Sequence, residues 1–117
     1  MPLPEFTQLV NEAKTQVKEI APADLKKMQA SGEDFSLIDV REPDEQAGGM
    51  IPVATPIARG ILERDIDKVT TDKNRKLVIY CGGGGRSALA ALNLKKMGFQ
   101  NALSLAGGYK GWRESQS

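Results

Sequence analysis

Along the chain the spacing of apolar side chains changes several times, and each change marks a new element. Phe6, Leu9, Val10, Ala13 and Val17 recur at i, i+3, i+4, i+7 and i+11, one stripe of an amphipathic helix. Pro4 stands where a first helical turn tolerates a residue without an N–H. The spacing predicts a helix from Pro4 to Gln16, whose apolar side must cover either the domain's own core or a partner. Ala21-Pro22-Ala23-Asp24 breaks the stripe, and a short helix is expected from Asp24 to Ala30, stopped by Ser31-Gly32. Phe35 to Val40 reads as a buried strand closed by Arg41-Glu42-Pro43. Asp44 to Pro56, with Gly48-Gly49, Pro52 and Pro56, reads as a connecting loop carrying a minor strand around Val53. Ile61, Leu62 and Ile66 give one apolar side to a helix from Arg59 to Val69, and Thr70 to Lys76 is a polar turn.

Leu77-Val78-Ile79-Tyr80 is apolar without alternation, the pattern of a parallel strand covered on both faces. Cys81 follows at once, then four glycines, then Arg86-Ser87. Ala88 to Met97 has strong helix propensity and ends at Gly98. Ala102 to Leu105 is a last strand, and Gly107-Gly108 leads into a helix near Tyr109 to Glu114. Strands alternating with helices predict an α/β fold with a mainly parallel sheet. A length of 117 residues suits one such core, with no repeat and no low-complexity linker to divide it.

Composition narrows the chemistry. Sixteen Lys and Arg against fifteen Asp and Glu leave a net charge of +1, so no global field draws in nucleic acid or an anionic membrane. No stretch approaches the roughly 20 apolar residues of a membrane span, and the N-terminus has no run like a signal-peptide core. The chain has no histidine, which excludes Ser-His-Asp and Cys-His catalysis and any His-ligated zinc. One cysteine excludes an internal disulfide, a CxxC redox pair and a cysteine-based metal cluster. No metal and no cofactor are expected, and a lone thiol fits a reducing cytoplasm. What remains is the chemistry that one thiol performs without an imidazole beside it.

The segment from Val78 to Ser87 carries that chemistry: a buried strand ends, a glycine loop turns, and a helix begins. Ligands of open α/β sheets bind at such strand carboxyl ends. Glycines let the backbone curl so that N–H groups of Gly82, Gly83, Gly84, Gly85, Arg86 and Ser87 converge on one point, at which the next helix also aims its positive end. A thiol at Cys81 is then favoured as a thiolate nucleophile, and an anionic adduct on its sulfur is stabilised. Taken alone, the cysteine also reads as a small buried apolar residue. The glycine run alone also reads as a phosphate cradle, but Gly85-Arg86-Ser87 lacks the lysine and the spacing of a Walker loop. In the dinucleotide pattern, Ser87 stands where a third glycine or alanine belongs. Cysteine, glycine cradle, arginine and helix start together favour a thiolate anion site.

Three segments, in the same order, resemble those of single-domain rhodaneses, the sulfurtransferase module. They are Leu37-Ile38-Asp39-Val40-Arg41-Glu42-Pro43 with Gly49-Met50-Ile51-Pro52-Val53-Ala54, then Val78 to Ser87, then Leu105-Ala106-Gly107-Gly108-Tyr109-Lys110-Gly111-Trp112. The resemblance implies an open, mainly parallel five-stranded sheet flanked by helices on both faces. It divides the chain into a rhodanese-like domain over residues 17–117 and an N-terminal helical extension over residues 1–16. It implies that Cys81 takes a sulfane sulfur from thiosulfate or another persulfide donor and passes it to cyanide or an external thiol, such as glutathione or a thioredoxin-like protein. Main-chain N–H groups of Gly82 to Ser87 would hold the persulfide, Arg86 would bind the donor's anionic end, and Arg41 would reach the same mouth. Asp39 is expected to be structural, and Tyr109 and Trp112 to pack on the sheet, with Trp112 walling the pocket.

The related cell-cycle phosphatases and arsenate reductases have C-x5-R, whereas Cys81 and Arg86 are spaced C-x4-R, a loop that suits sulfur better than a phosphoryl group. That activity is the alternative enzyme reading, and a non-catalytic binding or regulatory module is the other. Met50 replaces a histidine frequent in the first segment, and Arg86 is the loop's only cation. With weak anion attraction, such an open mouth is also suited to a protein persulfide or a small organic one in place of thiosulfate.

Overall fold

In the computed structural model, which describes residues 2–116, helices and strands alternate along most of the chain. The order is α1 (Pro4–Gln16), β1 (Lys18–Ile20), α2 (Pro22–Ala30), β2 (Ser36–Asp39), α3 (Pro43–Ala47), β3 (Thr55–Pro56), α4 (Leu62–Asp65), β4 (Leu77–Tyr80), α5 (Gly85–Lys96), β5 (Ala102–Leu105) and α6 (Gly108–Glu114). The five strands form one sheet in the order β1-β5-β4-β2-β3, and every pairing is parallel. All carboxyl ends therefore open on one edge, where Asp39, Cys81 and Gly107 leave their strands.

Strand β4 lies at the centre, and its four residues are fully buried. Its side chains alternate between the two faces, as the pleat requires. Leu77 and Ile79 pack with Ala90, Ala91 and Leu94 of α5 and with Leu62 of α4. Val78 and Tyr80 pack with Leu25 and Met28 of α2, and Tyr109 and Trp112 of α6 close that layer. Among the described residues no helix is long and apolar enough to cross a membrane.

Four elements differ from the sequence expectation. Strand β1 has only one buried residue, Ile20, so its periodicity carries no signal; the register Ile20 to Leu105 places it. The minor strand is Thr55–Pro56 rather than a segment around Val53, which is 86% exposed and turns the chain at φ 65°. Helix α3 buries no residue and so lacks an apolar stripe to betray it. The helix expected from Arg59 to Val69 is broken into 3-10 turns on either side of the four-residue α4.

Helix α1 packs on its own domain. Val10 and Ala13 are buried against α5, and Lys95 Nζ donates to the Gln16 carbonyl at 2.7 Å. Burying a valine side chain contributes roughly 1.5–3 kcal/mol. Removal of residues 1–16 is expected to lower the melting temperature by on the order of 10 °C. A melting curve that stays in place would show that α1 contributes nothing to its own domain's stability.

Candidate active site

Cys81 is the first residue beyond β4, and it is 1% exposed. Its sulfur accepts N–H groups from Gly84 at 3.1 Å and from Ser87 at 3.4 Å. The Ser87 hydroxyl lies 3.6 Å from the sulfur, donates to the Gly84 carbonyl at 3.3 Å, and meets Ser104 Oγ at 2.8 Å. Helix α5 starts within this turn, so its N-terminal end faces the sulfur. Two main-chain donors and a helix end thus face the Cys81 sulfur, an arrangement suited to an anionic group at that point.

Of the four glycines, only Gly84 has a backbone that demands glycine, with φ 102° and a Cβ there falling 3.3 Å from the Gly107 nitrogen. A Cβ at Gly83 would meet nothing within 4 Å, so that side of the loop is open. At Gly85 a Cβ would touch Val10 at 3.4 Å and Phe6 at 3.7 Å, which places α1 against the back of the loop.

Arg86 does not stand free at the mouth. Its Nη1 donates to Glu45 Oε1 at 2.7 Å and its Nη2 to Oε2 at 2.9 Å, a two-point pair from α5 to α3. The hydrogen bond from Arg86 holds the Glu45 carboxyl down at about 2, and the same bond raises the Arg86 guanidinium. The contribution of this pair is present above the ordinary carboxylate value of 4.5 and is lost as the pH falls toward 2. The loop's one cation is therefore neutralised by a carboxylate at neutral pH.

Arg41 also sits differently from the expectation. It is 5% exposed, and its guanidinium forks onto Asp39, with Nη2 to Oδ2 at 2.8 Å and Nε to Oδ1 at 3.1 Å. The same Nη2 donates to the Gly49 carbonyl at 2.6 Å, and the group lies over the Tyr109 ring at 4.2 Å. The Asp39 hydrogen bond raises its pKa, so the charge is permanent. Burial, reinforced by Asp39, likewise raises the neighbouring Tyr80 phenol, whose oxygen accepts the Ile51 N–H at 3.1 Å. Asp39 and Arg41 fasten the end of β2 to the 49–51 turn and to α6; their fork is committed inward rather than to the mouth.

Sequence reasoning missed Glu45, Ser104 and the contact between α6 and the loop. Ser104 had a signal, as the one polar residue in the buried strand Ala102–Leu105. Glu45 had none, because an acid in a polar helix is ordinary. The contact itself is backbone: Tyr109 N–H donates to the Cys81 carbonyl at 2.8 Å and Lys110 N–H to the Gly82 carbonyl at 3.1 Å.

The family profile of the rhodanese-like domain matches residues 21–115. The chain belongs to the rhodanese-like family. Among rhodanese-like relatives, the putative sulfurtransferase YtwF of Bacillus subtilis (strain 168) is 37% identical over 97 residues, covering 83% of this chain and 91% of that protein. The structure of RPA3614 from Rhodopseudomonas palustris CGA009, described as a possible tyrosine phosphatase, superposes with a TM-score of 0.85 at 31% identity. It covers 100% of this chain and 97% of its own, so the alignment includes α1. The human single-domain sulfurtransferase TSTD1 superposes with a TM-score of 0.77 at 27% identity, over 86% of this chain and 99% of its own. The five-stranded parallel sheet flanked by helices is the fold these rhodanese-like proteins share.

Proposed function

We propose that this chain is a sulfurtransferase in which Cys81 carries the transferred sulfur as a persulfide. The observation that carries this reading is the Cys81 sulfur held by the Gly84 and Ser87 N–H groups at the start of α5, in a family with named sulfurtransferases among its members. The Cys81 thiolate attacks the sulfane sulfur of a donor. A new sulfur–sulfur bond forms to Cys81 while the donor's own sulfur–sulfur bond breaks, and its electron pair leaves with sulfite or with a thiolate. An external thiol or cyanide then attacks the outer sulfur and releases Cys81 thiolate, a ping-pong sequence. The second thiol comes from outside, as the chain has one cysteine. Cytoplasmic thiols such as glutathione or a thioredoxin-like protein fit that role.

The loop's N–H groups from Gly82 to Ser87 are assigned to the persulfide anion, and their fixed geometry spares reorganisation during the reaction. The pairing of Arg86 with Glu45 supports a donor other than thiosulfate, because a neutralised cation attracts a small dianion weakly. Intact mass after incubation with thiosulfate, and separately with glutathione persulfide, tests the reading. A gain of about 32 Da that a reductant removes is expected, larger with the persulfide. No gain from either donor would overturn it; turnover of a phosphate ester would then point to the phosphatase reading that RPA3614's description carries.

A further inference from the structure

The first turn of α6 is fastened to the nucleophile's own backbone through the Cys81 and Gly82 carbonyls. Whatever its side chains present is therefore held in register with the sulfur. Beside Gly82 opens a cavity of about 470 Å³, lined by Tyr109, Lys110, Arg113 and Glu114. Lys110 and Arg113 are three residues apart on the helix, so they share one face, and both are exposed. Two cations and one carboxylate leave this lining net positive, whereas Arg86 and Glu45 on the other side of Gly82 cancel. The net positive side-chain charge at the mouth therefore comes from α6 and not from Arg86.

Size and charge together define what fits. Small organic ligands occupy cavities of roughly 300–1,000 Å³, and a small inorganic dianion would leave most of this one empty. Cations set back from the sulfur suit an anionic group set back from the reacting sulfur of the ligand, as in a thiol that carries carboxylates. We infer that Lys110 and Arg113 bind the carboxylates of a small organic persulfide in the cavity beside Gly82, and so set the selectivity of sulfur delivery to Cys81. This inference rests on the sulfurtransferase reading above and adds a recognition site to it. Lys110 and Arg113 touch the substrate's remote end, so they act on binding rather than on the transfer step.

A matched pair of donors tests it: glutathione persulfide and the persulfide of glutathione diethyl ester, equal in backbone and unlike in charge. Wild type is expected to favour the free acid about tenfold in kcat/KM, through KM, with the preference shrinking as salt is added. In Lys110→Gln/Arg113→Gln the ratio of the two kcat/KM values should fall to about one, and in Lys110→Glu/Arg113→Glu it should invert. A wild-type ratio near one would overturn the inference, as would a ratio that survives both double variants or a fall common to both donors. Failure of the underlying reading looks different, because wild-type Cys81 would then gain no sulfur mass from either persulfide; that result overturns both.

Discussion

A Cys81→Ser protein should fold as the wild type does and load no sulfur from any donor. The serine hydroxyl fits the space of the buried thiol and accepts the same N–H groups from Gly84 and Ser87. Because the incoming hydroxyl keeps hydrogen-bond partners, the stability change should stay within about 1 kcal/mol. Chemistry fares otherwise. A hydroxyl is a much weaker acid than a thiol, and two main-chain donors with a helix end cannot make it an alkoxide at neutral pH. Ser87 and Ser104 lie in the same hydrogen-bonded cluster but fail for the same reason, and there is no other thiol. Sulfur loading, followed by intact mass or by cyanide-dependent thiocyanate formation, should fall by at least about four orders of magnitude, the scale for loss of a nucleophile. Loading that persists at a tenth of the wild-type rate would remove Cys81 from the centre of the mechanism.

The residues that carry the candidate chemistry were legible because they are contiguous. Cys81, the glycine run and Arg86-Ser87 fall where a strand gives way to a helix, and backbone geometry alone brings their N–H groups to the sulfur. Elements with a two-sided burial pattern were equally plain: β4 and β5 are buried throughout, and α1 shows its stripe. Elements held by backbone pairing were not. Strand β1 is half-exposed and exists because Ile20 pairs with Leu105, a partner eighty-five residues away. Helix α3 has no apolar side at all, yet it delivers Glu45 to Arg86 and changes the charge of the mouth.

Arg41 shows the same limit from the other direction. An arginine at a strand end beside a cysteine loop suggests an anion contact. The residue two before it, Asp39, is buried and takes the fork, and a buried charge stays with the partner that compensates its desolvation. Which arginine meets solvent is thus decided by what carboxylate lies beside it, and spacing in the chain gives that only for Asp39. The glycine run misleads in a similar way, since four glycines suggest four strained positions and the backbone strains at Gly84 alone among them.

The glycine that matters most lies outside that run. Gly108 has φ +57°, and a Cβ there would sit 2.4 Å from the Cys81 carbonyl oxygen and 2.8 Å from the Gly82 carbonyl carbon. These are backbone atoms, so no side chain can swing aside to relieve the overlap. The Cys81 and Gly82 carbonyl oxygens also accept the N–H groups of Tyr109 and Lys110, the bonds that fasten α6 to the loop. Alanine at 108 must therefore push α6 off the loop, at the cost of those bonds in addition to roughly 1–2 kcal/mol for a left-handed non-glycine residue. A total of about 3–5 kcal/mol is expected, a fall in melting temperature on the order of 10–20 °C. Gly83→Ala provides the contrast, since its Cβ meets nothing within 4 Å and its backbone is ordinary; its melting temperature should move by no more than about 2 °C. Sulfur loading by Gly108→Ala, measured well below its melting point, should fall at least about tenfold, because the turn that aims the Gly84 and Ser87 N–H groups loses its neighbour. Equal melting of the two variants would mean that α6 yields to the added carbon without disturbing the loop. The closeness of α6 to Cys81 would then be contact without consequence. A steep loss at Gly108 alone would make the junction of α6 with the loop a structural condition for the site, as necessary as the glycine turn itself.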